Sequence, residues 1–337
     1  MAYKLIMEIY SFQLKKLKEP AQRTNTGRWR CKLEKEPSDF RSFVDSMNLQ
    51  GEAKVEYMNA ILNSFVSSFD GKFVKTKSGT SASSLTSDTF NGFNADKFLL
   101  WGKFKAGNAG LRFKVYDVDN ATQAERDITP NKVPSTDFFF MLWLPKDSNT
   151  GMLMVQRYNT FGFVASFRER IDDWFIQNGY KPTWVKYIPQ DVLQDYYQNG
   201  AINKIEVTYA NRVKRRKFDP LFSSFKLSNK KVVIDGFNIP LIDFINKVNR
   251  ENAIKDDIKG VVSDFDAERD SIRLFYTNGT SPASAQLADV EDIFPKIVLN
   301  DDLIDENNVP KWNNVLEKAK EMLEAIKVDI HYTPANG

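Results

Sequence analysis

Two apolar segments in the middle of the chain constrain its fold more than any other feature. They read DFFFMLWLP at residues 137–145 and GMLMVQRYN at 151–159, and a short polar turn separates them. Each is of strand length, and neither approaches the length of about 18 apolar residues that would span a membrane. We therefore predict a pair of strongly apolar strands joined by a turn.

An amphipathic helix is predicted directly after these strands, over residues 163–180. Its apolar face consists of Phe163, Phe167, Ile171, Trp174 and Phe175. The dipeptide Asn178-Gly179 is a typical helix end. A strand, a short helix and another strand follow up to residue 210. This ββαβαβ order predicts an α+β fold with mixed, largely antiparallel sheets and packed helices.

Length and composition allow more than one domain. The chain has 337 residues, of which 42% are hydrophobic, and two domains are expected at this size. The polar stretch with Pro130 and Pro134 is predicted to be a linker or long surface loop. The predicted regions are an N-terminal α+β region at 1–117, the linker at 118–137, the central ββαβαβ region at 138–217, and a C-terminal α+β region at 218–337 that ends in an amphipathic helix.

The single cysteine, Cys31, cannot form an intramolecular disulfide, which favours a reducing compartment. The apolar N-terminal stretch is interrupted by Glu8 and has no small-residue cleavage site, so a signal peptide is not predicted. Together with the absence of a membrane-length apolar run, these features predict a cytoplasmic protein that does not enter a membrane.

The sequence lacks the residues and motifs that several classes of enzyme require. His331 is the one histidine, so a catalytic triad would have to use it. A Cys/His zinc site needs about four ligands, and the chain offers Cys31 and His331. Neither a P-loop nor a G-x-G-x-x-G motif occurs, and SGTSASS at 78–84 is predicted to be a flexible loop. We therefore favour a protein that is not an enzyme and binds no cofactor. Magnesium is expected only if the protein is a nuclease whose carboxylates hold the metal.

The segment KKVVIDGFNIP, residues 230–240, admits two interpretations. A strand that ends in an aspartate begins the active site of several metal-dependent nucleases, and on that hypothesis Asp235, Asp264 and Asp266 are the candidate ligands. Asp-Gly between two apolar runs is also among the strongest signals for a two-residue hairpin turn. We favour the turn.

A dense basic cluster lies in NRVKRRKFDP, residues 211–220. It consists of Arg212, Lys214, Arg215, Arg216 and Lys217, five positive charges within six positions. Such charges are costly to bury, and phosphate backbones are their best natural complement. An acidic protein surface and a merely solvated loop are the alternatives.

A second basic candidate is Arg28-Trp29-Arg30 in the N-terminal region. An exposed tryptophan between arginines could stack on nucleic-acid bases. The same alternation is typical of a strand with one buried face, and we favour that interpretation of Trp29.

The middle third of the chain resembles uncharacterised bacterial proteins found among anti-phage defence genes. The similarity covers about residues 136–210 and lies in DFFFMLWLP, GMLMVQRYNTFGFVASFRERIDDWF and NGAINKIEVTYA. It implies a bacterial setting and a role in a multi-component defence system, and no functional residue follows from it.

Three hypotheses remain open. The favoured one is a binding or interaction protein that contacts DNA or RNA through its basic residues, or that binds a protein partner or itself. The alternatives are a metal-dependent nuclease and a structural, oligomer-forming protein.

Overall fold

A computed structural model describes residues 4–24, 29–46, 54–69, 71–76, 78–85, 89–117, 119–146, 148–159, 161–210, 229–241, 243, 270–277, 282–286 and 296–333. The chain divides into two compact units. The large unit comprises Met1–Tyr187 and Lys296–Gly337, and the small unit comprises Ile188–Pro295. Helices pack on antiparallel sheets, so the predicted α+β class is confirmed.

The strands, in chain order, are β1 (Leu5–Lys16), β2 (Gln22–Arg23), β3 (Trp29–Arg30), β4 (Val74–Lys75), β5 (Ser81–Ser84), β6 (Gly92–Asn94), β7 (Leu99–Asn108), β8 (Phe113–Asp117), β9 (Asn120–Ile128), β10 (Ser135–Trp143), β11 (Thr150–Tyr158), β12 (Tyr180–Tyr187), β13 (Ala201–Ala210), β14 (Asn229–Pro240), β15 (Ser271–Thr277), β16 (Pro282–Gln286) and β17 (Ile297–Val298). The helices are α1 (Phe40–Ser46), α2 (Lys54–Phe69), α3 (Val164–Gln177), α4 (Gln190–Asn199) and α5 (Trp312–Asp329), with a 3-10 turn at Asp301–Leu303. None of these described helices is both long enough and apolar enough to cross a bilayer.

The large unit is built on a nine-stranded sheet. Its path runs β12-β1-β11-β10-β7-β5-β4, with β17 beside β1 and β6 beside β7. All of these pairings are antiparallel. The predicted apolar pair is confirmed as β10 and β11, which lie next to each other near the middle of the sheet.

One face of this sheet is covered by helices α2 and α3. Phe140 of β10 contacts Phe65 of α2 and Phe167 of α3, with ring centroids 5.7 and 5.1 Å apart. Phe167 also stacks on Phe104 of β7 at 4.0 Å with nearly parallel rings. Aromatic side chains bury large areas with defined geometry, so this layer accounts for much of the phenylalanine in the chain.

The opposite face of the sheet packs against α5 and the residues that follow it. Trp143 of β10 is fully buried and meets the Tyr332 ring edge-on at 4.8 Å. The predicted C-terminal amphipathic helix is confirmed as α5, whose apolar stripe buries Val315, Leu316, Ala319, Met322, Leu323 and Ile326 and leaves Trp312 half-buried. Burial on both faces explains why β10 and β11 are apolar at successive positions.

Helix α3 ends where the sequence predicted. The Gly179 amide donates to the Ile176 carbonyl oxygen at 3.1 Å, and Gly179 has a φ of +83°. A residue with a side chain is strained in this left-handed conformation, whereas glycine adopts it freely.

Two segments differ from the expectation of irregular loops. SGTSASS contains β5, which pairs with β7, and its Ser83 and Ser84 are buried. The prediction of a flexible loop was wrong because small side chains here allow close packing on α3, where the Ser83 hydroxyl donates to the Ser166 carbonyl oxygen (3.3 Å). The stretch 118–137 contains β9, which forms a separate two-stranded sheet with β8, and the first residues of β10. The unit boundaries therefore fall near residues 187 and 295, away from the predicted 117, 137 and 217.

The small unit contains a four-stranded antiparallel sheet in the order β14-β13-β15-β16. One face is buried, and its core brings together Tyr196 of α4, Ile202, Ile205 and Val207 of β13, Leu241, and Ile272, Leu274 and Tyr276 of β15. Because side chains alternate along a strand, this buried set requires a second set on the opposite face.

The Asp235-Gly236 dipeptide lies inside a continuous strand, so the predicted hairpin turn was wrong. β14 runs without interruption from Asn229 to Pro240. Its register with β13 changes from the pair Lys204 and Asp235 to the pair Ile202 and Ile239, so the extra residues on β14 form a bulge. Gly236 has a φ of +82°. The positive φ of Gly236 therefore belongs to a β-bulge, not to a hairpin turn.

We predict that Gly236→Ala destabilises the small unit by about 1–2 kcal/mol, because a Cβ at this φ is strained. Apart from its chain neighbours, no described residue has a heavy atom within 4 Å of the added Cβ, so we expect no steric contribution to the loss. Gly236→Asn should lose less, since asparagine tolerates the left-handed region. Hydrogen exchange of the β13 and β15 amides measures the effect. Equal protection in wild type and the alanine variant would contradict the assigned bulge.

Candidate nucleic-acid interface

The second face of the four-stranded sheet, called here the open face, carries the candidate site. The register sets three residues of β13, β14 and β15 side by side in each row. The rows are Lys204, Asp235 and Phe275; Glu206, Val233 and Arg273; and Thr208, Lys231 and Ser271. Lys231, Val233, Asp235, Ser271 and Arg273 are exposed, so this face is available to a partner.

A carboxylate organises the cations of the open face. The Lys231 ammonium donates to the Glu206 carboxylate at 2.9 Å. This hydrogen bond, followed by the charges of Lys231, Arg273 and Lys204, lowers the pKa of Glu206 below its usual value. Glu206 is therefore ionised at neutral pH and sits among three positive side chains.

The open face also presents an aromatic ring. Phe275 is half-buried, and the Lys204 ammonium lies 4.5 Å from the centre of its ring. Such a contact is a cation–π interaction, and it holds the lysine beside the ring. A cation next to an aromatic ring is the local arrangement that proteins use to bind single-stranded nucleic acid, with phosphate on the cation and a base on the ring.

The basic cluster of Arg212, Lys214, Arg215, Arg216 and Lys217 lies outside the described residues. The described residues on either side of it are Ala210 and Asn229, which are paired at the ends of β13 and β14. The chain therefore leaves and re-enters the sheet at this edge, next to the row that contains Lys231.

Trp29 is held by contacts within the large unit. Its indole nitrogen donates to the Asp173 carboxylate at 2.6 Å. The Arg23 guanidinium lies 4.6 Å from the centre of the indole ring and pairs with the same carboxylate at 3.1 Å. Trp29 belongs to the short strand β3 and is half-buried, which agrees with the favoured interpretation. Arg30 is exposed, and Arg28 lies outside the described residues.

The carboxylates of the nuclease hypothesis are only partly placed. Asp235 is exposed on the open face, and Asp264 and Asp266 lie outside the described residues. Over the described part of the chain, no group of three or more His, Cys, Asp or Glu side chains is arranged to hold a metal ion. His331 is exposed just after α5, with a φ of 54°.

The chain matches no family model, and no curated protein matches its sequence. Function is therefore inferred from the geometry of the residues themselves.

Sequence reasoning missed Lys204, Lys231, Arg273 and Phe275 as a group. None belongs to a dense charged run, and Lys204 and Phe275 are neighbours only because β13 pairs with β15. The available signal was the alternation in NKIEV and SIRLF, where polar residues stand between buried ones.

We predict that Trp29→Phe lowers the free energy of unfolding of the large unit by about 1–3 kcal/mol, because a partly buried hydrogen bond to a charged group is lost. Asp173→Asn should also destabilise this unit. The double variant should lose less than the sum, since the two residues share one interaction. Urea unfolding followed by circular dichroism measures the cycle. Reduced nucleic-acid affinity with unchanged stability would instead assign Trp29 to an interface.

Proposed function

We propose that the protein is a recognition protein whose small unit binds single-stranded nucleic acid on the open face. The observation that carries the proposal is the row of Lys204, Asp235 and Phe275, with Arg273 in the next row. An aromatic ring on a four-stranded antiparallel sheet, with cations around it, suits a stacked base and its phosphates.

The basic cluster at 212–217 adds positive charge to the segment that connects β13 and β14. On the open face, Lys204, Lys231 and Arg273 are opposed by Glu206 and Asp235, so the face itself has a small net charge. Five further positive charges in the connection between β13 and β14 supply most of the attraction for phosphate. Attraction of this kind is long-range and depends on salt.

Asp235 has a role in this proposal that does not require a metal. Its exposed carboxylate lies in the same row as Phe275. A carboxylate accepts hydrogen bonds from the exocyclic amino group of a base, as it does for cytosine. The proposal therefore assigns Asp235 to base recognition. The resemblance of residues 136–210 to defence-associated proteins would place this binding in a bacterial anti-phage system.

We predict that Lys204→Gln with Arg273→Gln weakens single-strand binding at least about tenfold and lowers the salt slope by about 1.4, since each lost phosphate contact removes about 0.7. Changing the five cluster residues to Gln should lower the slope further. Fluorescence anisotropy with short DNA and RNA oligonucleotides over a salt series measures both quantities and separates the two nucleic acids.

The matched control changes Lys132 and Lys318 to Gln, which removes the same charge from exposed positions of the large unit. Equal loss in this control would mean that only net charge matters. Unchanged affinity and slope in the open-face variant would overturn the proposal.

We predict that Phe275→Leu weakens single-strand binding by about 1–3 kcal/mol, because stacking of a base on the ring is lost. Leucine keeps the half-buried position apolar, so the sheet should remain intact. Duplex DNA of the same length offers no free base to stack and should bind the variant and the wild type equally. A similar loss for duplex and single strand would remove Phe275 from the base-binding site.

A further inference from the structure

A pocket of about 790 Å³ lies in the large unit, at the edge where β10 begins and β11 ends. Its wall contains three aromatic residues from two segments: Tyr158 and Phe161 at and just after the end of β11, and Trp312 at the start of α5. Polar side chains complete it, among them Thr136, Asp137 and Asn308. Pockets with aromatic walls and a few placed polar groups are typical ligand sites.

The aromatic wall is held in place before any ligand binds. Phe161 is 45% exposed although it packs on Phe163 and Phe138, with ring centroids 5.1 and 6.1 Å apart. Tyr158 and Phe161 exchange backbone hydrogen bonds, in which the Tyr158 amide donates at 2.9 Å and the Phe161 amide at 2.6 Å. Phe161 thus adds a fixed, exposed ring to the apolar surface that it forms with Tyr158 and Trp312, and contiguous exposed apolar surface marks binding sites.

The opposite rim is equally well defined. The Asp305 carboxylate accepts hydrogen bonds from the amides of Asn307 and Val309, at 2.9 and 2.8 Å. Asn308 between them has a φ of 61°, and the Asp305 amide donates to the Val309 carbonyl oxygen at 2.9 Å. This tight loop precedes α5 and fixes the position from which Trp312 faces the pocket.

The charge of the lining favours a positively charged ligand. Among the residues that the structure describes, Asp137 is the one charged residue of the lining, and no lysine or arginine belongs to it. Asp137 pairs with Lys105 at 3.5 Å, but both side chains are a third or more exposed, so this pair contributes little and a ligand can compete with it. Burial above all, and the negative charges of Asp137 and Asp305, raise the pKa of Tyr158 to about 12, against a hydrogen bond with Thr136 that lowers it.

We propose that this pocket binds an organic cation of the alkylated ammonium class, with its methyl groups against Tyr158, Phe161 and Trp312 and its charge near Asp137. Ring faces attract such cations, and the attraction grows when water is excluded. Trp312 already takes part in one contact of this kind, since the Lys103 ammonium lies 5.5 Å from its ring centre. A phosphate or carboxylate ligand would meet Asp137 without a compensating cation in the lining.

The test compares choline with its neutral isostere, in which a tert-butyl group replaces the trimethylammonium group. We expect the full chain to bind choline with a dissociation constant of about 1 mM or tighter, and the isostere at least about tenfold more weakly. Titration followed by ligand-observed NMR measures both. Equal binding of the two compounds would mean that the pocket recognises shape and not charge, which would contradict the proposal. Absence of saturable choline binding would also contradict it.

Variants assign the binding to this pocket. Asp137→Asn keeps the shape and removes the charge, and Trp312→Phe keeps an aromatic ring but weakens the cation–π contact; each should weaken choline about threefold to tenfold. The matched control is Asp127→Asn on β9, another strand carboxylate that is paired with an arginine and exposed. Unchanged affinity in Asp137→Asn would overturn the assignment.

A second arm identifies the source of the cation. Blocked trimethyllysine presents the same head group on a protein side chain. Binding at least about tenfold tighter than choline would identify a methylated lysine of a partner protein as the ligand. Choline binding as tight as, or tighter than, blocked trimethyllysine would identify a small free cation.

Discussion

Burial of β10 and β11 on both faces is the constraint on which the large unit depends. Met141 pairs with Met154 and Phe140 pairs with Val155, so neighbouring positions point to opposite faces and all four side chains are buried. A strand of this kind has no face that can meet water. The chain must therefore provide a layer on each side, and it does so with α2 and α3 on one face and α5 on the other. Residues from both ends of the chain are needed to close the core.

The sheet of the small unit follows the opposite rule, and this difference leaves one of its faces with polar and charged side chains. In β13, Ile205 and Val207 are buried, whereas Lys204 and Glu206 lie on the other face. Antiparallel sheets tolerate such one-sided burial. Strand pairing then places side chains that are distant in sequence about 5 Å apart, as it does for Lys204 and Phe275. A sheet with one buried face can thus bring polar and aromatic side chains together on its other face through strand pairing alone.

Long periodic segments were predictable from the sequence, and positions decided by strand pairing were not. The stripe of α5, from Val315 to Ile326, repeats over several turns and leaves no other interpretation. The dipeptide Asp235-Gly236 predicts a residue with a positive φ, but such a residue occurs both in hairpin turns and in β-bulges. The choice depends on β13, more than 20 residues earlier. Prediction of the candidate site was limited in the same way. The basic cluster at 212–217 is a short continuous segment of the sequence, whereas the open face combines residues from three strands.

The charges of the two proposed sites point to different classes of ligand. The open face holds Lys204, Lys231 and Arg273 around the ionised Glu206. In the pocket of the large unit, Asp137 is the one charged lining residue among those the structure describes. Because Glu206 cancels part of the positive charge on the open face, the proposed phosphate binding relies on the additional cations at 212–217. The carboxylate also prevents the lysines from repelling one another, so it keeps them within reach of a single strand. In the proposed function, different parts of the small unit would supply position and charge. The sheet would hold a stacked base, and the basic cluster in the connection between β13 and β14 would attract phosphate.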